Sequence, residues 1–176
     1  MVARHAASPR RILDVACGTG SFEVRLLERF PQVCVTGVDL SPDMLERARA
    51  RFNGEERVRW IQSSAEHLPV DPASFDVVTC NNALHLIPDQ AAALAEFRRV
   101  LVPRGILIVI DWDRNAPTIK LVNLNYEIFG QHPRHIMNAG ELSRTIERSG
   151  FEILQVERFP ATWFWRVAAV AARKVA

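Results

Sequence analysis

Two glycines, Gly18 and Gly20, interrupt the segment "RILDVACGTGSFEVRLL" between a stretch that reads as a strand and one that reads as an amphipathic helix. Without a Cβ, the backbone at both positions can approach a ligand closely, and the helix that follows presents free N–H groups. Asp39 comes 19 residues after Gly20, at the end of the next β-branched run, where it suits two ribose hydroxyls. The expected ligand therefore carries a ribose. A dinucleotide fingerprint needs a third glycine three positions after Gly20, but Glu23 stands there, on the turn side of the helix where a diphosphate would sit. That disfavours a nicotinamide or flavin oxidoreductase.

Groups able to move a proton form a second set. His85 reads as a base or as a helix residue satisfied by nearby backbone. His132 and His135, in "GQHPRHIM", read as bases or as solvated loop residues. As metal ligands these histidines lack a third partner, and Asp111 and Asp113 of "DWD" do not supply one, so no metal is expected.

These side chains need elements to hold them. Short β-branched runs, "ILDVA", "VCVTGVDL", "VRWIQ", "FDVVTC", "GILIVI", "FEILQVE" and "WRVAAVAA", alternate with helical patterns, the signature of a doubly wound α/β fold with helices on both faces of a mostly parallel sheet. In "SPDMLERARARF", Ser41 caps a helix that Pro42 opens, with Met44, Leu45, Ala48 and Phe52 on one face. Asp89 caps another, with Leu94, Phe97 and Leu101 toward the sheet, and Asn138 with Glu141 opens a third that ends at Gly150. Residues 113–137 are the least regular and are expected to leave the sheet and cap the ligand cleft. The 176 residues suffice for one core, and residues 1–176 are read as one domain. A net charge of +2 gives no basis for nucleic acid as a partner. Neither a membrane span nor a signal-peptide core is legible, so a cytoplasmic protein with three reduced cysteines is expected.

The ordered blocks "LDVACGTG", "GVDLSPDML", "AEHLP", "FDVVTCNNALHLIPD" and "RRVLVPRGIL" cover residues 11 to about 111. Together they resemble the class I S-adenosylmethionine-dependent methyltransferases, in particular their small-molecule branch. The resemblance implies a Rossmann-like seven-stranded sheet of order 3-2-1-4-5-7-6 with the last strand antiparallel. The implied cofactor is S-adenosyl-L-methionine, with S-adenosyl-L-homocysteine as product. The backbone at Ala16, Gly18 and Gly20 would meet its methionine and ribose parts. Asp14 would order the turn and approach the amino acid part, or act only as a turn-capping carboxylate. Asp39 would bind the ribose diol, or partner only the next helix. Leu40 and Met44 would pack on adenine, Met44 otherwise being helix core. Ser64, Ala65 and Glu66 complete the adenine side, Ser64 standing where relatives often place an acid and Glu66 facing solvent. Asn81 would offer its carbonyl to the cofactor's amino group, and Asn82 and His85 would point at the substrate.

Where relatives that methylate planar amino nitrogens carry Asn-Pro-Pro-aromatic, this chain has "NNALH", which disfavours adenine or glutamine amides. The expectation is methyl transfer to a small-molecule substrate by in-line displacement, with Trp112, Tyr126 and Phe129 as an apolar substrate wall. The alternative is a noncatalytic or repurposed fold that binds the cofactor or a protein partner. The family's lid helices usually precede the first strand, whereas ten residues do so here. Either the cleft stays open, or residues 113–137 cover it alone, or a second copy of the chain, drawn to the cleft and to "TWFWR", lends the missing wall; the last is favoured and would give a homo-oligomer.

Overall fold

The computed structural model describes residues 1–116, 135–160 and 166–175. Seven strands form one sheet: β1 Arg11–Val15, β2 Cys34–Asp39, β3 Val58–Gln62, β4 Phe75–Asn81, β5 Leu101–Trp112, β6 Phe151–Pro160 and β7 Arg166–Lys174. Their order is 3-2-1-4-5-7-6. Strands β3, β2, β1, β4 and β5 run parallel, and β7 is antiparallel to both β5 and β6. Chain order reverses between β1 and β4, which opens a crevice beyond the carboxyl ends of β1, β2 and β4.

The strands read as nearly continuous apolar runs because both sheet faces are covered. On one face Ile12, Val35, Val77, Ile106 and Ile108 pack with Leu26 of helix α2 (Ser21–Arg29) and Phe30 just after it, joined by Val2 of the one-turn helix α1 (Val2–His5). On the other face Leu13, Val78, Leu107 and Val170 meet Leu94 and Phe97 of α4 (Gln90–Val100), together with Leu142 and Ile146 of α5 (Ala139–Arg148). No described helix is long and apolar enough to cross a membrane.

Local chemistry sets the helix starts. The Ser41 hydroxyl accepts from Met44 N–H at 3.3 Å at the head of α3 (Pro42–Arg51), and Asp89 accepts from Ala92 N–H at 2.9 Å. Asn138 and Glu141 form a reciprocal capping box at 3.0 Å each. Two helix assignments are corrected. Leu101 lies in β5, paired with Phe75, because α4 stops at Val100. Met44 is not core: Leu45 and Ala48 fill the buried face of α3, while Met44 is 38% exposed.

Of the irregular segment, residues 117–134 lie outside the described residues, and so do Tyr126, Phe129 and His132, as well as Trp163, Phe164 and Trp165 of "TWFWR". At its described flanks Ala116 and Ile136 pack beside Trp112.

Candidate active site

The first turn is built from positive-φ residues: Ala16 at 58°, Gly18 at 57° and Gly20 at 77°. The two glycines serve different ends. A Cβ at Gly18 would meet nothing within 4 Å, so its backbone angle and its open approach to the crevice account for glycine there. A Cβ at Gly20 would lie 2.8 Å from both Phe52 and Trp60, so Gly20 makes room for that aromatic pair and does not line the crevice.

Asp39 closes β2 and ties two loops together. Its Oδ2 accepts from Gly18 N–H at 2.8 Å and its Oδ1 from Ser41 N–H at 2.9 Å. Each carboxylate oxygen retains a second lone pair toward the crevice. The crevice encloses about 520 Å³ and is lined by Ala16, Gly18, Asp39, Leu40, Met44, Ser64, Ala65, Glu66 and Asn81, with Asn82, Ala83, Leu86 and Ile87 opposite. Leu40, 70% exposed, and Met44 beside it are apolar side chains left uncovered on this wall, which an aromatic ring system would cover. Nine of the expected cofactor residues are thus brought together. Asp14 and Gly20 are not on the wall.

Glu66 is more than a solvent-facing charge. Its carboxylate accepts from the Ser64 hydroxyl and, at 3.2 Å, from Asp89 N–H, and these bonds, Ser64 first, hold its pKa below the usual carboxylate range. An acid thus stands two residues after Ser64, bonded to its hydroxyl.

Beneath the turn lie two buried carboxyls. The register of β1 against β4 sets Asp14 beside Thr79, whose hydroxyl donates to it, and the amide of Asn81, which lines the crevice, donates at 3.3 Å. Glu23, on the first turn of α2, is fully buried next to Asp14. It fills the space under the turn and does not line the crevice, so its sequence placement on the ligand side, facing a would-be diphosphate, is corrected. Burial is the main cause that pushes both acids up from the ordinary carboxylate range. The Cys17 thiol is pushed up as well, by burial and then by Glu23 and Asp14.

At the neighbouring strand ends, His85 sits on a 3-10 turn, Leu84–Leu86, and is 2% exposed. Its Nδ1 lies 2.5 Å from Asp111 Oδ1 near the end of β5, and its backbone N–H donates to Asp111 Oδ2 at 2.8 Å. Trp112 N–H donates to Asp111 at 2.8 Å, and the indole stacks on the imidazole with ring centres 4.4 Å apart. With Asp111 accepting, Nδ1 carries the proton and Nε2 presents a lone pair, which is buried and has no partner among the described residues. Sequence reasoning weighs Asp111 only as a metal ligand and Glu23 only against a diphosphate, and misses that the first pairs with His85 and the second with Asp14. An acid closing a parallel strand was the signal for the first; an acid on the inward face of a glycine-turn helix was the signal for the second. His135 stands apart, exposed, its carbonyl held at 3.3 Å by Gln90, which also binds Leu84 O at 2.9 Å.

Comparison with known proteins agrees with this layout. The chain is 40% identical over 128 residues, 72% of its length, to the demethylmenaquinone methyltransferase of Deinococcus radiodurans, and covers 52% of that relative. It spans about half the length of the curated relatives it matches. An S-adenosylmethionine-dependent methyltransferase from Mesorhizobium loti is similar in structure, with a TM-score of 0.76 and 25% identity, over 95% of this chain and 91% of that one. The cyclase SpnF shares the fold, with a TM-score of 0.81 at 21% identity over 99% of this chain and 79% of that one. The sequence profile of the family described as "Methyltransferase domain" matches residues 12–105, and with the glycine turn, Asp39 and the seven-stranded order in place, the chain belongs to that family.

Proposed function

We propose that this chain is an S-adenosylmethionine-dependent methyltransferase acting on a small-molecule acceptor that carries an ionisable hydroxyl. The observation that carries the reading is the crevice at the sheet's switch point, where the Asp39 carboxylate stands between the open turn at Gly18 and the uncovered apolar pair Leu40 and Met44. A hydrogen-bonding acid flanked by an apolar platform suits a nucleoside. Asp39 would hold the ribose diol, Leu40 and Met44 the adenine faces, Ser64, Ala65 and Glu66 its polar edge, and the Asn81 carbonyl the amino group.

When bound, the cofactor supplies a methyl group already activated by a positive sulfur. What remains for the chain is alignment, worth roughly 7 to 11 kcal/mol in well-oriented cases, and removal of the acceptor's proton. His85 Nε2, with its free lone pair, would take that proton once the acceptor reaches it, since His85 is buried and stands off the described crevice wall where the sequence placed it facing the substrate. Asp111 fixes the tautomer and stabilises the imidazolium that forms, as a carboxylate does behind a catalytic histidine. His132 and His135 are lesser candidates for the same task. The Deinococcus relative is named for a small-molecule acceptor, which supports that substrate class.

Calorimetric titration with S-adenosylmethionine, S-adenosylhomocysteine and a nicotinamide dinucleotide tests the cofactor: the first two bind and the third does not. Transfer of labelled methyl to a pool of phenolic and quinol metabolites tests the acceptor. Binding without transfer to any member of the pool would favour the repurposed-fold alternative.

A further inference from the structure

The carboxyls of Asp14 and Glu23 meet beneath the glycine turn where β1, β4 and α2 converge, and they are 2% and 0% exposed. Asp14 has donors in Thr79 and Asn81. Glu23 has no comparable donor: among the described residues, no other side chain than Asp14 comes within hydrogen-bond reach of its oxygens. Two ionised carboxylates in contact, shielded from water, repel each other at low effective dielectric, and only a proton carried by the pair itself can bridge them. The surroundings do not relieve the charge. Asp39 from β2 and the Cys17 thiol of the turn add negative or neutral groups. The cation that acts on Glu23 is Arg51 of α3, and its guanidinium is engaged with the Ser21 hydroxyl at 2.9 Å.

We propose that Glu23 is a positioning residue for cofactor binding: it shares one proton with Asp14 while the crevice is empty, and the pair gives up that proton when a cationic ligand settles beside Asn81. The link runs through Asn81, which lines the crevice and whose amide donates to Asp14, so an ammonium held beside it stabilises the doubly ionised pair. The proton passes from the shared carboxyl hydrogen bond to solvent, and no other bond changes. The inference rests on the cofactor assignment made above, because the ligand invoked is S-adenosylmethionine.

The test is titration calorimetry of the whole chain with S-adenosylmethionine in buffers of low and high ionisation enthalpy at pH 7, run on the parent and on Glu23→Gln. The Gln amide donates permanently to Asp14, so the variant has only the proton that burial holds on Asp14 itself to release, while the ligand's own amino group titrates alike in both proteins. The expected result is that the parent releases about half a proton more per site than Glu23→Gln, and that neutral adenosine abolishes the difference. Equal proton counts for parent and variant, with S-adenosylmethionine bound to both, overturn this proposal alone. A difference that persists with adenosine also overturns it, since no cation is then involved. Absence of S-adenosylmethionine binding to the parent overturns the cofactor assignment and this inference together. Should Glu23→Gln fail to fold, Glu23→Leu, which removes the acid while filling similar volume, is measured in its place with the same expectation.

Discussion

Asp39 was expected to serve a ligand, and it also serves the fold. Because it accepts from Gly18 and Ser41 N–H groups, Asp39→Ala removes an acceptor from two backbone donors as well as from the ribose. Cofactor affinity is expected to fall roughly 10- to 100-fold, and stability by about 1–2 kcal/mol. Calorimetry and urea unfolding check the two halves separately, and unchanged affinity would remove the ribose assignment. Ser64→Asp shows how a neighbour reverses an expectation. An acid at 64 would suit an adenine amino group in isolation, but here it would face the Glu66 carboxylate that the serine hydroxyl now binds, so weaker cofactor binding is expected in the same titration. Asp111→Asn disarms the base without touching the crevice wall. It is expected to lower methyl transfer about 100-fold or more at unchanged cofactor affinity, with the loss largest for acceptors whose hydroxyl is least acidic. An equal loss for all acceptors would assign Asp111 a structural role.

At the scale of elements, what was legible followed from local chemistry. Ser41, Asp89 and Asn138 each cap the helix that their spacing indicated, because a cap needs only its own next three residues. Gly18 and Asp39 were legible because strand ends in a parallel sheet converge on one crevice. Distant partners were not. Nothing near Gly20 in the chain reveals Trp60 behind it, and nothing near His85 reveals Asp111, 26 residues on. The Trp60 ring sets a prediction of its own. A Cβ at Gly37, in β2, would lie 2.4 Å from that ring and 2.9 Å from Cys17 Sγ, and Gly37 has no positive φ, so the cost of Gly37→Ala is overpacking. It is expected to destabilise by about 1–3 kcal/mol, and most of that penalty should vanish when Trp60 is Leu, as a double-mutant cycle of urea midpoints reports. A penalty independent of Trp60 would place the clash elsewhere.

For the whole molecule, the buried acid pair and the surface acids act on stability in opposite senses. Glu55, Glu66, Glu96 and Glu141 are held below the usual carboxylate range by hydrogen bonds and arginines, so what they contribute is present above their ordinary values and lost as pH falls through the lowered ones. Asp14 and Glu23 are held above that range by burial, so the folded chain keeps protons that the unfolded chain has already released. Folding is then opposed over a window that begins at ordinary carboxylate values and ends at the raised ones. The unliganded protein is therefore expected to be most stable in mild acid and to lose stability as pH rises through neutrality. Urea midpoints measured from about pH 5 to pH 8.5 should decline for the parent and decline less steeply for Glu23→Gln, whose amide gives Asp14 a permanent donor while burial still raises it. Parallel slopes in the two proteins would mean that some other buried group, and not this pair, sets the alkaline side of the stability curve.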